Sequence, residues 1–175
     1  MNDENLHSIV IAGAIEKLRD HMAQIERCVG LLNDEQLWFR PNQSSNSVAN
    51  LLLHLRGNMG QWMLGGLGGR PFERHRQAEF DARDAGTGKQ PLAPLQNMVE
   101  TVCELLQILP DGGLVQRYLI QGYTVTGASA LMHVVEHFAF HTGQIVTTTK
   151  WLRDVDVSLY DKDGHRRDGR LSGTP

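Results

Sequence analysis

Four segments of the chain carry apolar residues at the spacing of an amphipathic helix. They span about residues 6–32, 48–64, 92–109 and 127–152. In each segment the apolar positions recur every three or four residues, so they fall on one face of a helix. Four such faces can bury one another around a single core. The pattern therefore predicts an all-α fold, a four-helix bundle whose helices are joined by polar, turn-rich connectors.

The connectors differ in length, and this indicates how the helices run. Residues 65–90, between the second and third helices, form the longest gap. A long crossover returns the third helix parallel to the second, whereas short loops join antiparallel neighbours. Residues 117–125 alternate more than they follow a helical period, which favours an extended piece. Residues 1–153 are predicted as one domain, and residues 154–175 as a polar tail that is loose or lies along the surface.

Polar residues and glycines refine the predicted helices. Asn2 or Asp3 could cap the first helix, and Thr126 directly precedes the fourth as an N-cap. Gly57 and Gly60 weaken the second helix and fall on the side away from its apolar arc.

Composition and charge narrow the class of protein. The chain has 175 residues and a formal net charge of −3, which gives no general attraction for nucleic acid or an anionic membrane. No apolar run approaches the roughly 20 residues of a membrane span, and the start, MNDENLHSIV, lacks the pattern of a secretory signal. Cys28 and Cys103 lie among apolar residues and are predicted as buried, reduced thiols, with a disulfide or a catalytic thiol as the alternative. These features favour a cytoplasmic protein.

His137 and His141, four residues apart in the fourth helix, are the strongest indication of chemistry. Residues at i and i+4 lie one above the other, here on an apolar face. Unpaired imidazoles are costly there, so we expect a divalent metal ion or polar partners in the core to satisfy them. His133, one turn earlier, competes with His141. Three histidines over two turns span about 12 Å, and one ion with bonds of about 2.1 Å cannot reach both ends.

A third ligand is expected from a facing helix, and His54 is the best candidate. It lies at the edge of the apolar arc of the second helix, where Asn58 and Gln61 continue a polar seam. The alternative is an exposed or structural histidine. The remaining histidines have weaker claims and are predicted to be exposed; they are His7, His21, His75 and His165.

Two motifs resemble the DinB/YfiT-like superfamily. One is the histidine in LLLHLRGNMGQW, and the other is H-x-x-x-H-x-G-Q-I, here HFAFHTGQI, some eighty residues later. RPFERHRQAEF resembles a branch of this superfamily without an assigned function. The resemblance covers nearly the whole chain apart from the tail. It implies a bundle of up-down-down-up topology and one metal ion on three ligands, which fall here on His54, His137 and His141.

The neighbours of these histidines receive roles mainly from their positions on the predicted helices. His133 becomes a core residue or an outer neighbour of the ligands, and Asn58 and Gln61 belong to the pocket. Gln144 falls on the histidine stripe, where it could support a ligand or a bound water. Members often form homodimers; Trp38, Phe39 and Trp151, near helix ends, are candidate contacts.

Two functional hypotheses follow. Three neutral imidazoles leave open positions on a divalent ion, where a bound water or thiol can become a nucleophile near neutral pH. Zinc is the default ion, with nickel, iron or manganese as alternatives. The first hypothesis is a metal-dependent enzyme on a small-molecule substrate, because characterised relatives include thiol-dependent S-transferases and a thiol-dependent isomerase. It would act as a thiol S-transferase using a low-molecular-weight thiol, or as a hydrolase. The second is a non-catalytic metal-binding or stress-response protein. No general base stands out, although Glu104 and Asn58 are conceivable helpers.

Overall fold

The computed structural model describes residues 5–83, 91–163 and 165. Within them the chain forms four main helices, two short helices, a π-helix and a hairpin. The elements are α1 (Leu6–Gly30), α2 (Asp34–Trp38), α3 (Val48–Met59), the π-helix (Gly60–Leu67), α4 (Arg76–Asp81), α5 (Leu92–Gln107), β1 (Arg117–Ile120), β2 (Tyr123–Thr126) and α6 (Gly127–Arg153). No helix of the described residues combines the length and apolar character that crossing a membrane requires.

The predicted mostly helical fold is confirmed, and its four helices are present as α1, α3, α5 and α6. Helix α1 packs against α5 and α6, and α3 packs against the same two helices. The apolar faces found in the sequence meet in one core, because burial removes their side chains from water. The large, fully buried side chains of this core include Leu18, Ile25, Leu52, Leu55, Leu95, Leu106, Phe138 and Ile145.

Side-chain caps fix where the helices begin. The carboxamide oxygen of Asn5 accepts a hydrogen bond from the Ser8 backbone N–H at 2.9 Å, so Asn5 is the N-cap of α1. Asn2 and Asp3, the predicted caps, lie outside the described residues. Thr126 caps α6 as predicted, because its hydroxyl accepts from the Ser129 N–H at 3.1 Å.

The second predicted helix changes its hydrogen-bond register halfway. Its α-helical part ends at Met59, and the chain continues as a π-helix through Leu67. Apolar periodicity does not report which carbonyl each N–H reaches, so the sequence predicted one regular helix. Gly66 in the π-helix lies directly under Ile120 of the hairpin, where a Cβ atom would overlap the Ile120 side chain.

The crossover segment, residues 69–83, lies along α3 and contains α4. Phe72 covers Gly60, and Glu79 covers Gly57, so closely that a Cβ atom at either glycine would overlap the covering side chain. The side of α3 away from the apolar arc is therefore covered by chain. Two anchors hold the segment there: Asn50 Nδ2 donates to the Glu79 carbonyl at 2.8 Å, and Arg40 Nη2 donates to the Phe80 carbonyl at 2.6 Å.

The predicted extended piece is an antiparallel hairpin. Strands β1 and β2 pair from Arg117 opposite Thr126 to Ile120 opposite Tyr123. Gln121 and Gly122 form its turn with φ of 52° and 81°, the left-handed backbone that tight hairpins require.

The predicted tail begins after α6 and is only partly described. Val157 is 2% exposed and belongs to the core, so the start of the tail is packed rather than loose. Residue 164 and residues 166–175 lie outside the described residues.

Candidate metal centre

Three histidines from two helices meet in the bundle. His54 comes from α3, and His137 and His141 come from successive turns of α6. Each offers one ring nitrogen to a group whose atoms all lie within 4.8 Å of one another. Nε2 of His54 lies 3.0 Å from Nε2 of His137. Within residues 5–83, 91–163 and 165, this is the group of histidine, cysteine and carboxylate side chains that converges closely enough to hold a metal ion.

The geometry of the group fits a divalent ion. Two nitrogens about 2.1 Å from one ion lie about 3.0 to 3.4 Å apart when the angle between the bonds is about 90° to 109°. The separation of 3.0 Å between the Nε2 atoms of His54 and His137 falls in this range, and all three ligand nitrogens lie within 4.8 Å of one another. The three rings cross at 64°, 88° and 85°, so their edges converge and their faces do not stack. Three buried or half-buried histidines can therefore hold a metal ion here.

The electrostatic environment keeps two of the rings neutral, the form that binds metal. Burial, together with the neighbouring His141, His54 and His133, lowers the pKa of His137 to about 3. Burial also lowers the pKa of His141, against the opposing effect of a hydrogen bond to Gln144. At neutral pH both rings therefore carry a lone pair.

His54 is held by a buried ion pair from the crossover segment. Its Nδ1 lies 2.9 Å from Oε2 of Glu79, and the Arg74 guanidinium binds both carboxylate oxygens of Glu79, at 2.7 and 2.9 Å. Burial alone would raise the pKa of Glu79, but the hydrogen bonds from Arg74 and His54 outweigh it and hold the pKa below its usual value. Glu79 is thus a carboxylate and accepts the Nδ1–H of His54, which leaves Nε2 free to face His137.

His141 is held by its own helix. Its Nδ1 lies 2.7 Å from the side-chain oxygen of Gln144, which accepts the hydrogen bond and leaves the lone pair on Nε2. Phe80 packs on the His54 ring and Phe140 on the His141 ring, with centroids 4.8 and 5.2 Å apart. Hydrogen bonds and aromatic contacts thus fix the orientation of both rings.

His133 lies beside the group but is not among its converging nitrogens. Its ring packs on Trp62 at 4.1 Å, and its Nε2 lies 3.2 Å from Nδ2 of Asn58. Gln61 sits behind His54, where its side-chain oxygen accepts from Arg74 Nη1 at 2.9 Å and also from the Gln121 amide of the hairpin. The two residues of the predicted polar seam therefore have different partners: Asn58 contacts His133, and Gln61 accepts a hydrogen bond from Arg74.

The predicted exposure of the other histidines is right for two of them and wrong for two. His75 and His165 are exposed. His7 is half-buried, because its Nε2 contacts the Leu109 carbonyl at 3.0 Å across the bundle. His21 is half-buried and stacks on Phe138. Both lie on the part of α1 that faces neighbouring helices. Helix periodicity alone placed them at the boundary between the apolar and polar faces of the helix.

Sequence reasoning missed Arg74 and Glu79. Their segment, RPFERHRQAEF, was noted for its resemblance to one branch of the superfamily, but no role was assigned to its charged residues, because charged residues in a connector are usually solvated. A signal was present in Gly57 and Gly60: two glycines on one side of a helix, next to a histidine and a glutamine, leave room for a covering segment. Because the covering segment buries the polar side chains of the helix, it has to supply hydrogen-bond partners for them.

The two cysteines are buried and free, as predicted. Burial raises the pKa of Cys103 to about 11, and burial also raises the pKa of Cys28 above its ordinary value. Neither is a thiolate at neutral pH, and this argues against a catalytic thiol.

A cleft of about 720 Å³ opens beside His141. It lies between α6 and the loop before α3, and every side chain that lines it is uncharged. Gln144 and Phe140, which both contact His141, line it, together with Thr147, Thr148 and Trp151 of α6. The cleft therefore adjoins two neighbours of His141.

Likenesses to known proteins identify the fold and the family of the chain. The structure resembles the crystal structure of a DinB-like protein, YjoA, from Bacillus subtilis, with a TM-score of 0.61 and 15% sequence identity over 84% of this chain and 94% of that one. This likeness shows that the chain has a DinB-like fold, as the sequence motifs implied. Residues 6–160 match the family described as "Protein of unknown function (DUF1572)", and the chain belongs to this family. The search of curated proteins found no match.

Proposed function

We propose that His54, His137 and His141 bind one divalent metal ion and that the protein is a metal-dependent enzyme acting on a small molecule. The observation that carries this proposal is the convergence of three ring nitrogens, two of them on rings whose Nδ1 is hydrogen-bonded elsewhere, to Glu79 and to Gln144. Buried ring nitrogens need partners, and one metal ion would satisfy the three that converge here.

The chemistry follows from the donor set. A divalent ion on three neutral imidazoles keeps open positions and supplies a nucleophile from water or a thiol near neutral pH. Zinc is the ion that best suits such ligands, with nickel, iron or manganese as alternatives. The chain's own residues orient the rings through Glu79 and Gln144 and keep His137 neutral by burial. Thiol S-transfer, with a low-molecular-weight thiol, and hydrolysis both fit this arrangement.

The cleft beside His141 is the proposed substrate site. Its walls combine hydroxyl and amide groups with the Phe140 and Trp151 rings, and no charged side chain lines it. Such a surface favours a substrate without strong net charge that carries both hydrogen-bonding groups and an apolar part.

A second candidate function is metal binding without catalysis, as in a stress-response protein. The burial of two of the three histidines favours it, because His54 is 6% exposed and His141 is 9% exposed. A closed site suits retention of a metal, whereas turnover needs an accessible ion.

Metal analysis of the purified protein tests the proposed site. One divalent ion per chain in the wild type, lost in His137→Ala, supports it, and a wild type without stoichiometric metal overturns it. A screen of low-molecular-weight thiols with electrophiles, and of hydrolysable esters and amides, then separates the enzyme from the metal-binding protein. Turnover that requires the metal favours the first candidate.

We also propose the up-down-down-up arrangement for the four main helices. It is supported by contacts between helix ends: Gln96, early in α5, donates to Glu26, late in α1, while His7, early in α1, contacts the carbonyl of Leu109 after α5. Helices α3 and α6 also run in opposite directions. His54 precedes Asn58 along α3, whereas His137, which contacts His54, follows His133, which contacts Asn58, along α6.

A homodimer and a cytoplasmic location remain proposals. Phe39 and Trp151 contact each other with centroids 5.8 Å apart and are 38% and 63% exposed, so this aromatic pair is a candidate contact between two copies. Trp38, the third predicted contact, is half-buried. Light scattering at micromolar concentration tests the dimer, and a monomeric mass overturns it; cell fractionation tests the location.

A further inference from the structure

We propose that Glu79 of the crossover segment is a positioning residue that selects the ring tautomer of His54 and thereby its ability to bind metal, and that Gly57 provides the space for its carboxylate. The inference rests on the proposed metal site and adds residues to it. The crossover segment then helps to form the site as well as connecting two helices.

Two neighbours compete for Nδ1 of His54. Glu79 Oε2 lies 2.9 Å away, and Arg74 Nη2 lies 3.1 Å away. A carboxylate only accepts and a guanidinium only donates. Nδ1 must therefore carry its proton to bind Glu79, and must lose it to bind Arg74. The first tautomer leaves the lone pair on Nε2, facing His137; the second places a proton there, in the position that a metal ion needs.

Glu79 decides this competition because it also binds Arg74. Its Oε1 accepts from Arg74 Nε at 2.7 Å, and its Oε2 accepts from Arg74 Nη2 at 2.9 Å. The remaining terminal nitrogen of Arg74, Nη1, donates to Gln61 at 2.9 Å. With Glu79 present, all three donor groups of Arg74 have oxygen acceptors. In Glu79→Gln the amide oxygen can replace only one of the two acceptors. With that oxygen on Arg74 Nε, the amide NH2 and Arg74 Nη2 both approach Nδ1 of His54 as donors, so the ring is expected to change tautomer.

The ion pair is buried, so its geometry is fixed. The Arg74 side chain is 4% exposed and the Glu79 side chain 10% exposed. A Cβ atom at Gly57 would overlap the Glu79 carboxyl group and crowd Nε of Arg74. The carboxylate can therefore take this position only because residue 57 is glycine. A substitution at Gly57 should act on His54 through Glu79 without touching any ligand.

The segment has anchors that do not involve Glu79's carboxylate. Asn50 Nδ2 donates to the carbonyls of Glu79 and Ala82 at 2.8 and 3.0 Å, and Arg40 donates to the Phe80 carbonyl. These bonds end on backbone atoms, so they survive a change of the side chain at position 79. Glu79→Gln is therefore expected to fold, with the shape of the side chain retained and its charge removed.

The test compares two variants with two matched controls. Glu79→Gln and Gly57→Ala change the proposed device. Glu73→Gln removes an exposed carboxylate from the same segment, and Gly13→Ala fills a helical glycine that has no neighbour within 4 Å of a new Cβ atom. Zinc affinity is measured by competition with a chromophoric chelator, and ring tautomers in the metal-free proteins by ¹⁵N NMR of the imidazoles. Circular dichroism checks the fold of every variant.

The proposal expects about 10- to 100-fold weaker zinc binding in Glu79→Gln and Gly57→Ala, with the controls close to the wild type. In the metal-free proteins, the His54 signals should change from the Nδ1–H form in the wild type to the Nε2–H form in Glu79→Gln. Unchanged affinity and an unchanged tautomer in a folded Glu79→Gln overturn the inference and leave the metal site standing. If Glu79→Gln does not fold, Gly57→Ala decides by the same two measurements. A wild type that binds no zinc and no other divalent ion overturns both proposals.

Discussion

Nδ1 of His54 lies 2.9 Å from Oε2 of Glu79, although 25 residues separate them in the chain. The two are brought together by the crossover segment, which runs back along α3 and places α4 against it. A candidate ligand is thus held by a residue from a connector. The integrity of the site depends on how the connector packs as well as on the core of the bundle.

The choice between His133 and His141 as partner of His137 can be tested by substitution. His141→Ala is expected to lower zinc affinity at least about 100-fold, because it removes one of three converging nitrogens. His133→Ala should keep most of the affinity, since the His133 Nε2 contacts Asn58 instead. Isothermal titration of both metal-free variants checks this, and loss of binding in His133→Ala alone would reverse the assignment.

The lowered pKa of His137 predicts how the stability of the protein depends on pH. The pKa of His137 is about 3 in the folded protein against an ordinary 6.5. Between these values the unfolded chain binds a proton that the folded chain does not. The free energy of unfolding therefore falls as the pH is lowered from about 6.5 towards 3, and the loss is absent above about 6.5.

This dependence can be isolated in the metal-free protein. Urea midpoints in the presence of a chelator, at pH 7 and pH 5, should decrease more for the wild type than for His137→Gln, which has no titrating ring. This range stays above the window in which Glu79, with its lowered pKa, loses its own contribution. Equal decreases in the two proteins would show that His137 is not held neutral.

The two cysteines should be inert in the native protein. Burial raises the pKa of both thiols, that of Cys103 to about 11, so the thiolate that reacts with disulfide reagents is scarce at pH 8. A colorimetric thiol reagent should detect almost no thiol in the native protein and two per chain after denaturation without reductant. Rapid labelling of the native protein, or no thiol after denaturation, contradicts the expectation.

Asn50 should contribute more to stability than an ordinary helix residue. Its side chain completes the capping box with Ser47 and also donates to the carbonyls of Glu79 and Ala82. Asn50→Ala leaves buried groups without partners and is expected to lower the free energy of unfolding by about 2–3 kcal/mol. Denaturant titration measures it, with the exposed Asn97→Ala of α5 as control. Equal losses of stability in the two variants would show that Asn50 does not anchor the crossover segment.

Filling the cleft should separate substrate binding from metal binding. A Cβ atom at Gly143 has no neighbour within 4 Å, so Gly143→Leu can be accommodated and would project into the cleft. We expect at least about a tenfold loss in kcat/KM for any substrate found by screening, with zinc affinity unchanged. Gly13→Leu, equally open but on α1, is the control. Full activity in Gly143→Leu would place the substrate elsewhere.

Much of the fold follows from the sequence because apolar periodicity is a local signal. The ranges of α5 and α6 differ from the predicted ones by only a residue or two, and Thr126 caps α6 as expected. The π-helix after Met59 was missed, since the same apolar positions suit either hydrogen-bond register. The short helix α4 was missed because its sequence, RQAEFD, is polar and its position depends on packing against α3.

The candidate site, like the fold, could be predicted from the sequence only in part. The spacing on the fourth helix indicated a metal site but left His133 as a competitor of His141. The place of His54 on the second helix made it the best third candidate, and the family motif implied His54, His137 and His141. Glu79 and Arg74 could not be found by spacing, because their role depends on a crossover that returns over 20 residues or more to His54. His7 and His21 were placed wrongly for the same reason, since their burial depends on which helix neighbours α1.

Gly57 and Gly60 also have a consequence for engineering. Replacing a glycine inside a helix by alanine is a standard way to stabilise a protein, worth up to about 1 kcal/mol per position. Here the added methyl groups would meet Glu79 and Phe72. A redesign guided only by helix propensity would therefore introduce changes that push the crossover segment away from α3. At these two positions helix propensity has been given up for a close fit, and this trade-off should be kept in any redesign of the protein.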